Sequence, residues 1–295
     1  MQNNTAQNTI DFLNNANYGI ISSIISKIEQ EFLCKHSLHR VTTGFEQEFY
    51  LSTTPSVKIL DEISKIDGIF EVKKELGLNQ FEVTTVPQVG FVESCRIIQN
   101  FRIIAKEVCE KNNIEISFSA IQSEKLPPSS LQMSVCLYAT AKNEILNLES
   151  KTLQQIVQNV TENLPASMII VSQNENCFER IANWEFVRQF KNSPTHATWG
   201  TENRTVALRI AKVPNETGKR LEFRTPSSLA NPYFVAIAFL ISALSKAEHF
   251  HEQTFVDSHI SNAKQLPKSQ NEAEKNFTNS KIEQKLKHYF QKNGI

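Results

Sequence analysis

Apolar spacing divides the chain into helical and extended stretches. Residues 1–17 are Asn-rich and read as a frayed start, after which Tyr18 to Leu33 (YGIISSIISKIEQEFL) carries apolar residues at helical spacing. Arg40 to Ser52 (RVTTGFEQEFYLS) alternates like a strand, Val57 to Ile66 reads as a short helix, and Leu78 to Thr84 as a second strand. Between Gly90 and Asn112, residues Val92, Cys95, Ile98, Phe101, Ile104 and Val108 form one helical stripe suited to packing across a sheet. Ile114 to Phe118 and Leu131 to Tyr138 are strand-like, and Leu153 to Leu164 is helical.

Thr198 to Arg224 predicts two strands joined by the loop VPNETGK and bearing four arginines. SSLANPYFVAIAFLISALSKAEHF follows, capped by Ser or Asn and apolar nearly all round, which predicts a buried helix. Residues 251–270 are polar, and Glu272 to Phe290 closes with one or two helices. No internal repeat, heptad array or Gly-rich phosphate loop is present, which argues against repeat scaffolds, coiled coils and P-loop kinases.

Composition narrows the class. The 295 residues can bury a core unaided, and 31 basic against 31 acidic side chains leave no global field to draw in nucleic acid. The five cysteines (Cys34, Cys95, Cys109, Cys136, Cys177) lack ligand spacing and fit a reducing compartment. The polar start lacks the order of a signal peptide, and the longest apolar run, Tyr233 to Leu244, is too short to span a bilayer. A cytoplasmic protein with no membrane or nucleic-acid partner is expected.

Chemistry enters at GFEQEFYLS, where a period of two puts Glu46, Glu48 and Tyr50 on one face and Phe45, Gln47, Phe49 and Leu51 on the other. Carboxylates that close raise one another's pKa unless a cation, usually a hard divalent ion, sits between them. Two solvent-facing glutamates are the plainer reading of an isolated pair. In KRLEFRTP, Glu222 sits between Arg220 and Arg224 while Leu221 and Phe223 face the core. That face suits metal and phosphate, although alone it reads as a cross-strand ion-pair ladder. Glu75 and Glu82 in KELGLNQFEV extend the acidic set.

Together these segments resemble the glutamine synthetase family, in order, from about Arg40 to Phe290. GFEQEFYL is similar to the family's G-x-E-x-E-F-x-L, ELGLNQFE to E-x-x-P-G-Q-x-E, and NRTVALR to N-R-S-x-x-x-R. RLEFRTPSSLANPYFVAIAFLISAL is similar to R-x-E-x-R-x-P-D-x-x-A-N-P-Y-L with its buried helix, and LPKSQNEAEKNF to L-P-x-S-L-x-E-A. The resemblance implies an α+β fold: a curved, mainly antiparallel sheet with helices on its outer face, forming one catalytic domain over 40–295 behind a polar tail and helix over 1–39. It implies that Glu48, Glu75 and Glu82 hold one Mg2+ or Mn2+, and that Glu46, Glu222 and Gln132 hold another nearer ATP. Arg204, Arg209 and Arg224 would serve phosphate and substrate charge, with Arg204 and Arg224 catalytic. Arg209 and Ser134 would contact the nucleotide, and Arg180 in NENCFERI would meet the substrate carboxylate. The implied reaction is ATP-dependent acyl phosphate formation on glutamate or a similar carboxylate, followed by attack of ammonia or an amine.

Departures are specific. The family's metal-ligand histidine lies in G-M-H-V-H-x-S-L, which here corresponds to SSLQMSVCL, so Gln132 replaces it, or Ser134 and Cys136 in another register. The family's small N-terminal β-domain has no counterpart before Arg40, and its P-G-Y-E-A-P flap has none between Arg180 and Arg204, where Glu185 is the nearest candidate. A catalytically impaired relative acting as a binding or regulatory protein is therefore the alternative, and a homo-oligomer is open. Trp184 and Trp199 read as anchors rather than stacking platforms, and His249 and His251 as surface residues at a helix end. The basic tail KIEQKLKHYFQK reads as a solvated helix face.

Overall fold

The computed structural model describes residues 17–141, 144–172, 174–182, 189–213 and 218–292. In chain order it contains α1 (Tyr18–Lys35), β1 (Arg40–Leu51), α2 (Val57–Ser64), β2 (Ile69–Lys74), β3 (Gln80–Thr85), β4 (Gln88–Val89), α3 (Val92–Lys111) and β5 (Ile116–Ser117). There follow β6 (Leu131–Tyr138), α4 (Lys151–Val171), α5 (Glu175–Ala182), β7 (Trp199–Thr201), β8 (Leu208–Lys212) and β9 (Lys219–Phe223). The chain ends with α6 (Pro232–Leu244), α7 (Gln270–Phe277) and α8 (Lys281–Lys292). The architecture is α+β.

The strands form one nine-stranded sheet in the order β2-β3-β1-β6-β9-β8-β7, with β4 and β5 also paired to β1. Every pairing is antiparallel except β7 with β8. The long strand β1 is the spine, because its alternation gives it one face for the core and one for the site. Phe45 and Phe49 go inward while Glu46 and Glu48 project from the opposite face, and β6 and β9 repeat the arrangement with Met133, Leu221 and Phe223.

Helices cover the apolar face. In the larger of two core clusters, α1, α4 and α6 pack beneath β6, β8 and β9. Every residue of α6 is buried, as its all-round apolar sequence requires, and Asn231 caps it by accepting from Tyr233 N. The second cluster packs α2 and α3 against β1 and β3 through Ile63, Phe101, Phe49 and Phe81.

Four local readings differ from the sequence expectation. Helix α4 continues past Leu164 to Val171 with Pro165 inside it. Proline forfeits a helix hydrogen bond, but residues 163 to 171 are all buried and tertiary packing overrides the local preference. Strand β2 has a weak pattern because it is a largely exposed edge with a register shift between Ile69 and Glu71. Helix α5 was too short and polar to register as periodic, and the arginine-rich region holds three strands, not two.

Candidate active site

Strand register brings the acidic residues together. Glu48 is directly opposite Glu82 on β3, and Glu46 is opposite Gln132 on β6. Glu222 on β9 then lies opposite Ser134 on β6 and Arg209 on β8. Glu75 sits in the turn between β2 and β3, which closes through its own N–H to Gln80 O. That turn needs Gly77: a Cβ there would stand 2.3 Å from the Tyr50 hydroxyl, which donates to Pro127 O.

These side chains line one cavity of about 390 Å³. Its wall carries five glutamates (Glu46, Glu48, Glu75, Glu82, Glu222) and seven cationic side chains (Lys73, Arg180, Lys191, Arg204, Arg209, Arg220, Arg224). The excess is positive, which suits an anionic ligand. Three of the guanidinium groups, those of Arg180, Arg209 and Arg224, each have a buried Nε–H with no hydrogen-bond acceptor among the described residues. Buried donors left unsatisfied are costly, and carboxylate or phosphate oxygens satisfy such forks well.

Of the residues named from sequence, Glu46, Glu48, Glu75, Glu82, Gln132, Glu222, Arg180, Arg204, Arg209 and Arg224 all face this cavity. Ser134 instead lines an adjacent cavity of about 210 Å³, which shares Glu46 and Arg220 with the first. Its place follows from the strand period, since Gln132, Ser134 and Cys136 share a β6 face but climb past the acidic cluster.

The carboxyls divide into two electrostatic groups. Burial pushes Glu48 up to about 7, with Glu75 adding to the rise and the Ser130 N–H opposing it. Glu82 is raised to about 8 by burial and by the charges of Glu46 and Glu48, against its 2.6 Å pairing with Lys73. Glu46 is raised by burial and by Glu222. Glu222 behaves oppposite to these: burial would raise it, yet Arg209, Arg220 and Arg224 together hold it below the usual carboxylate range. Arg209 Nη1 lies 2.9 Å from its Oε2 and Arg220 Nη2 lies 2.7 Å from its Oε1. This is the cross-strand ion-pair ladder, built into the cavity wall.

Metal fit follows that division. The donor chemistry at Glu48, Glu75 and Glu82 suits a hard cation, because three carboxyls face one cavity there, those of Glu48 and Glu82 raised by burial, and Lys73, 2.6 Å from Glu82, is the cation paired with them. At Glu46, Gln132 and Glu222 the fit fails. Gln132 Oε1 accepts from Arg224 Nη1 at 2.5 Å, and both oxygens of Glu222 are taken by guanidinium groups. Among the described residues no three His, Cys, Asp or Glu side chains converge at liganding geometry.

Several contributors escaped the sequence reading. Lys73 comes from the unrecognised edge strand, and Gln189 to Ser193 supply a wall segment with no motif. That segment is tied down when Arg224 Nη2 donates to Asn192 O and when His259 Nε2 meets Lys191 O at 2.8 Å. Arg102 is half-buried behind the sheet, donating to Gln47 Oε1, Ser228 O and Ala230 O. Gln47 thus sits on the core face as a polar anchor for the strand that carries Glu46 and Glu48. Its place among apolar residues was the available signal.

Trp184 and Glu185 lie outside the described residues. Trp199 anchors β7 by donating from Nε1 to His251 O, and His249 and His251 each approach Glu162 Oε2 at 3.3 Å. No helix among the described residues is long and apolar enough to cross a membrane.

Comparison with known proteins places this geometry. The family model "Glutamine synthetase, catalytic domain" matches residues 59–293. The gamma-glutamylputrescine synthetase PuuA of Escherichia coli is 26% identical over 174 residues, 58% of this chain and 35% of that protein. A glutamine synthetase of Pyrococcus abyssi is 22% identical over 258 residues, 78% of this chain and 56% of that one. The chain therefore spans about a third to a half of the length of these relatives. Among solved structures, a chain described as the GmaS/ADP complex superposes with a TM-score of 0.73 at 17% identity, covering 94% of this chain and 74% of that one. A second, described as a novel glutamine synthase homolog, gives a TM-score of 0.68 at 17% identity, covering 92% and 69%. At such identity the superpositions speak for the fold.

Proposed function

We propose that this chain, which belongs to the glutamine synthetase catalytic-domain family, is an ATP-dependent ligase joining a carboxylate to ammonia or an amine. One observation carries the reading: five glutamates and seven cationic groups from distant segments meet around one cavity, where the buried Nε–H groups of Arg180, Arg209 and Arg224 lack acceptors among the described residues. Such a wall binds two anions at once, a polyphosphate and a carboxylate, and holds them in line.

Within that reading the residues divide the work. Arg180, 2% exposed and braced by donating to Thr225 O, fixes the substrate carboxylate beside Glu48. Arg204, Arg209 and Arg224 face the phosphates, where planar forks stabilise charge that grows as the phosphoryl group moves. Ser134 and Arg209 contact the nucleotide, in or beside the smaller cavity. Glu48, Glu75 and Glu82 would hold Mg2+ or Mn2+, which would supply positive charge to offset the phosphate oxygens and the carboxyls themselves. Phosphorylation of the substrate carboxylate then makes it reactive toward ammonia or an amine. Relatives named for gamma-glutamylputrescine and for glutamine formation make both ammonia and larger amines candidates for the second substrate.

Phosphate release from ATP, assayed with Mg2+ over a panel of carboxylates and amines, tests this. Release that depends on a specific pair is expected. No release for any pair from a folded protein would favour a second reading, a binding or regulatory relative, for which the engagement of Gln132 and Glu222 by arginines speaks.

A further inference from the structure

We propose that this site takes one divalent cation per chain, and that the Arg224 guanidinium stands permanently where a second would sit. The inference rests on the ligase reading and refines how its phosphate end is neutralised. Three positions could supply that second cation with donors: Glu46 on β1, Gln132 on β6 and Glu222 on β9. Between two of them lies a fixed positive group, since Arg224 Nη1 is 2.5 Å from Gln132 Oε1 and 3.6 Å from Glu222 Oε2.

The carboxylate of Glu222 is also engaged by two further arginines. Glu222 Oε1 accepts from Arg220 through both Nε and Nη2, and Arg209 Nη1 reaches both carboxylate oxygens. Arg224 is itself immobilised: it is 6% exposed, and its Nη2 donates to Asn192 O and Arg204 O. A guanidinium held by two backbone carbonyls and a side-chain amide keeps its place at little further entropic cost.

Gln132 is suited to this partner. Its amide oxygen accepts the guanidinium while its Nε2 donates to Ser130 Oγ at 3.2 Å, so the side chain is satisfied at both ends. Ser130 N in turn donates to Glu48 Oε2 at 2.7 Å, which links the arginine end of the cavity to its acidic end. Neutral amide oxygen is a weak donor to a divalent ion but a good acceptor for Arg. The result would be asymmetric, with a divalent cation held among Glu48, Glu75 and Glu82, where Lys73 pairs with Glu82 at 2.6 Å, and a covalently tethered positive charge beside Glu222.

Mn2+ titration of the folded chain without nucleotide, followed by electron paramagnetic resonance of the free ion, counts the sites. One Mn2+ per chain is expected. Two would overturn the proposal and leave the ligase reading standing, whereas none would overturn both. The variant Arg224→Ala, checked for folding by circular dichroism, frees Gln132 Oε1 and removes the positive charge 3.6 Å from Glu222 Oε2, and its count should rise to two. A folded variant that still binds one would show that Arg224 is not what excludes the second ion.

Discussion

The buried carboxyl of Glu48 should make the metal-free protein less stable as pH rises. Its pKa is about 7 in the folded chain, against an ordinary value of 4.5. A carboxyl raised in this way contributes stability below its unfolded value and loses it as pH climbs through the folded one. Between pH 5.5 and pH 8.5 the relevant span is the part from 5.5 to the folded value, roughly 1.5 units, or about 2 kcal/mol at 1.36 kcal/mol per unit. For a chain of this size that corresponds to roughly 4–8 °C in Tm. The variant Glu48→Gln isolates the effect, because a neutral amide can still accept from Ser130 N as the carboxylate does. Thermal melts in EDTA at both pH values should show a fall in wild type that exceeds the variant's by this amount. Millimolar Mn2+ at pH 8.5 should raise the wild-type Tm more than the variant's. Equal pH dependence in the two proteins would refute the assignment of a buried, uncompensated charge to Glu48.

Two further outcomes follow from contacts around the site. Gly77→Ala forces a Cβ to within 2.3 Å of the Tyr50 hydroxyl and 2.8 Å of Gln80 Oε1, so it should cost roughly 1–3 kcal/mol and weaken Mn2+ binding by moving Glu75. Adding Tyr50→Phe should recover part of both losses in urea melts and Mn2+ titration, and no recovery would place the strain elsewhere. Arg102→Met leaves Gln47 Oε1 and Ala230 O without the guanidinium donor, with Ser228 O keeping Gln47 Nε2 at 3.3 Å, and should cost on the order of 2–4 kcal/mol by urea denaturation. Combined with Gln47→Leu it should cost less than the two single changes summed, and strict additivity would contradict the coupling.

Much of the fold was written in local pattern. The alternation of RVTTGFEQEFYLS assigned Phe45 and Phe49 to the core and Glu46 and Glu48 to the other face, and an all-apolar stretch marked α6 as buried. These features are legible because side-chain direction in strands and helices follows fixed periods of the backbone. Strand β2 was not legible, since an exposed edge imposes no alternation, and with it went Lys73, the partner of Glu82. The wall from Gln189 to Ser193 was equally silent, being held by contacts to Arg224 and His259 that no local rule encodes.

The sequence by itself determined which residue types point to the site face, and offered Gln132, or Ser134 and Cys136 in another register, in place of the resembled family's histidine. Only the tertiary structure decided which charges meet. Register set Glu48 opposite Glu82 and Glu222 opposite Arg209, and side-chain packing placed Arg224 between Gln132 and Glu222. The reason is one of range: backbone period acts between neighbours in sequence, whereas the balance of buried charge depends on distances of a few ångströms between residues such as Gln132 and Arg224, 92 positions apart.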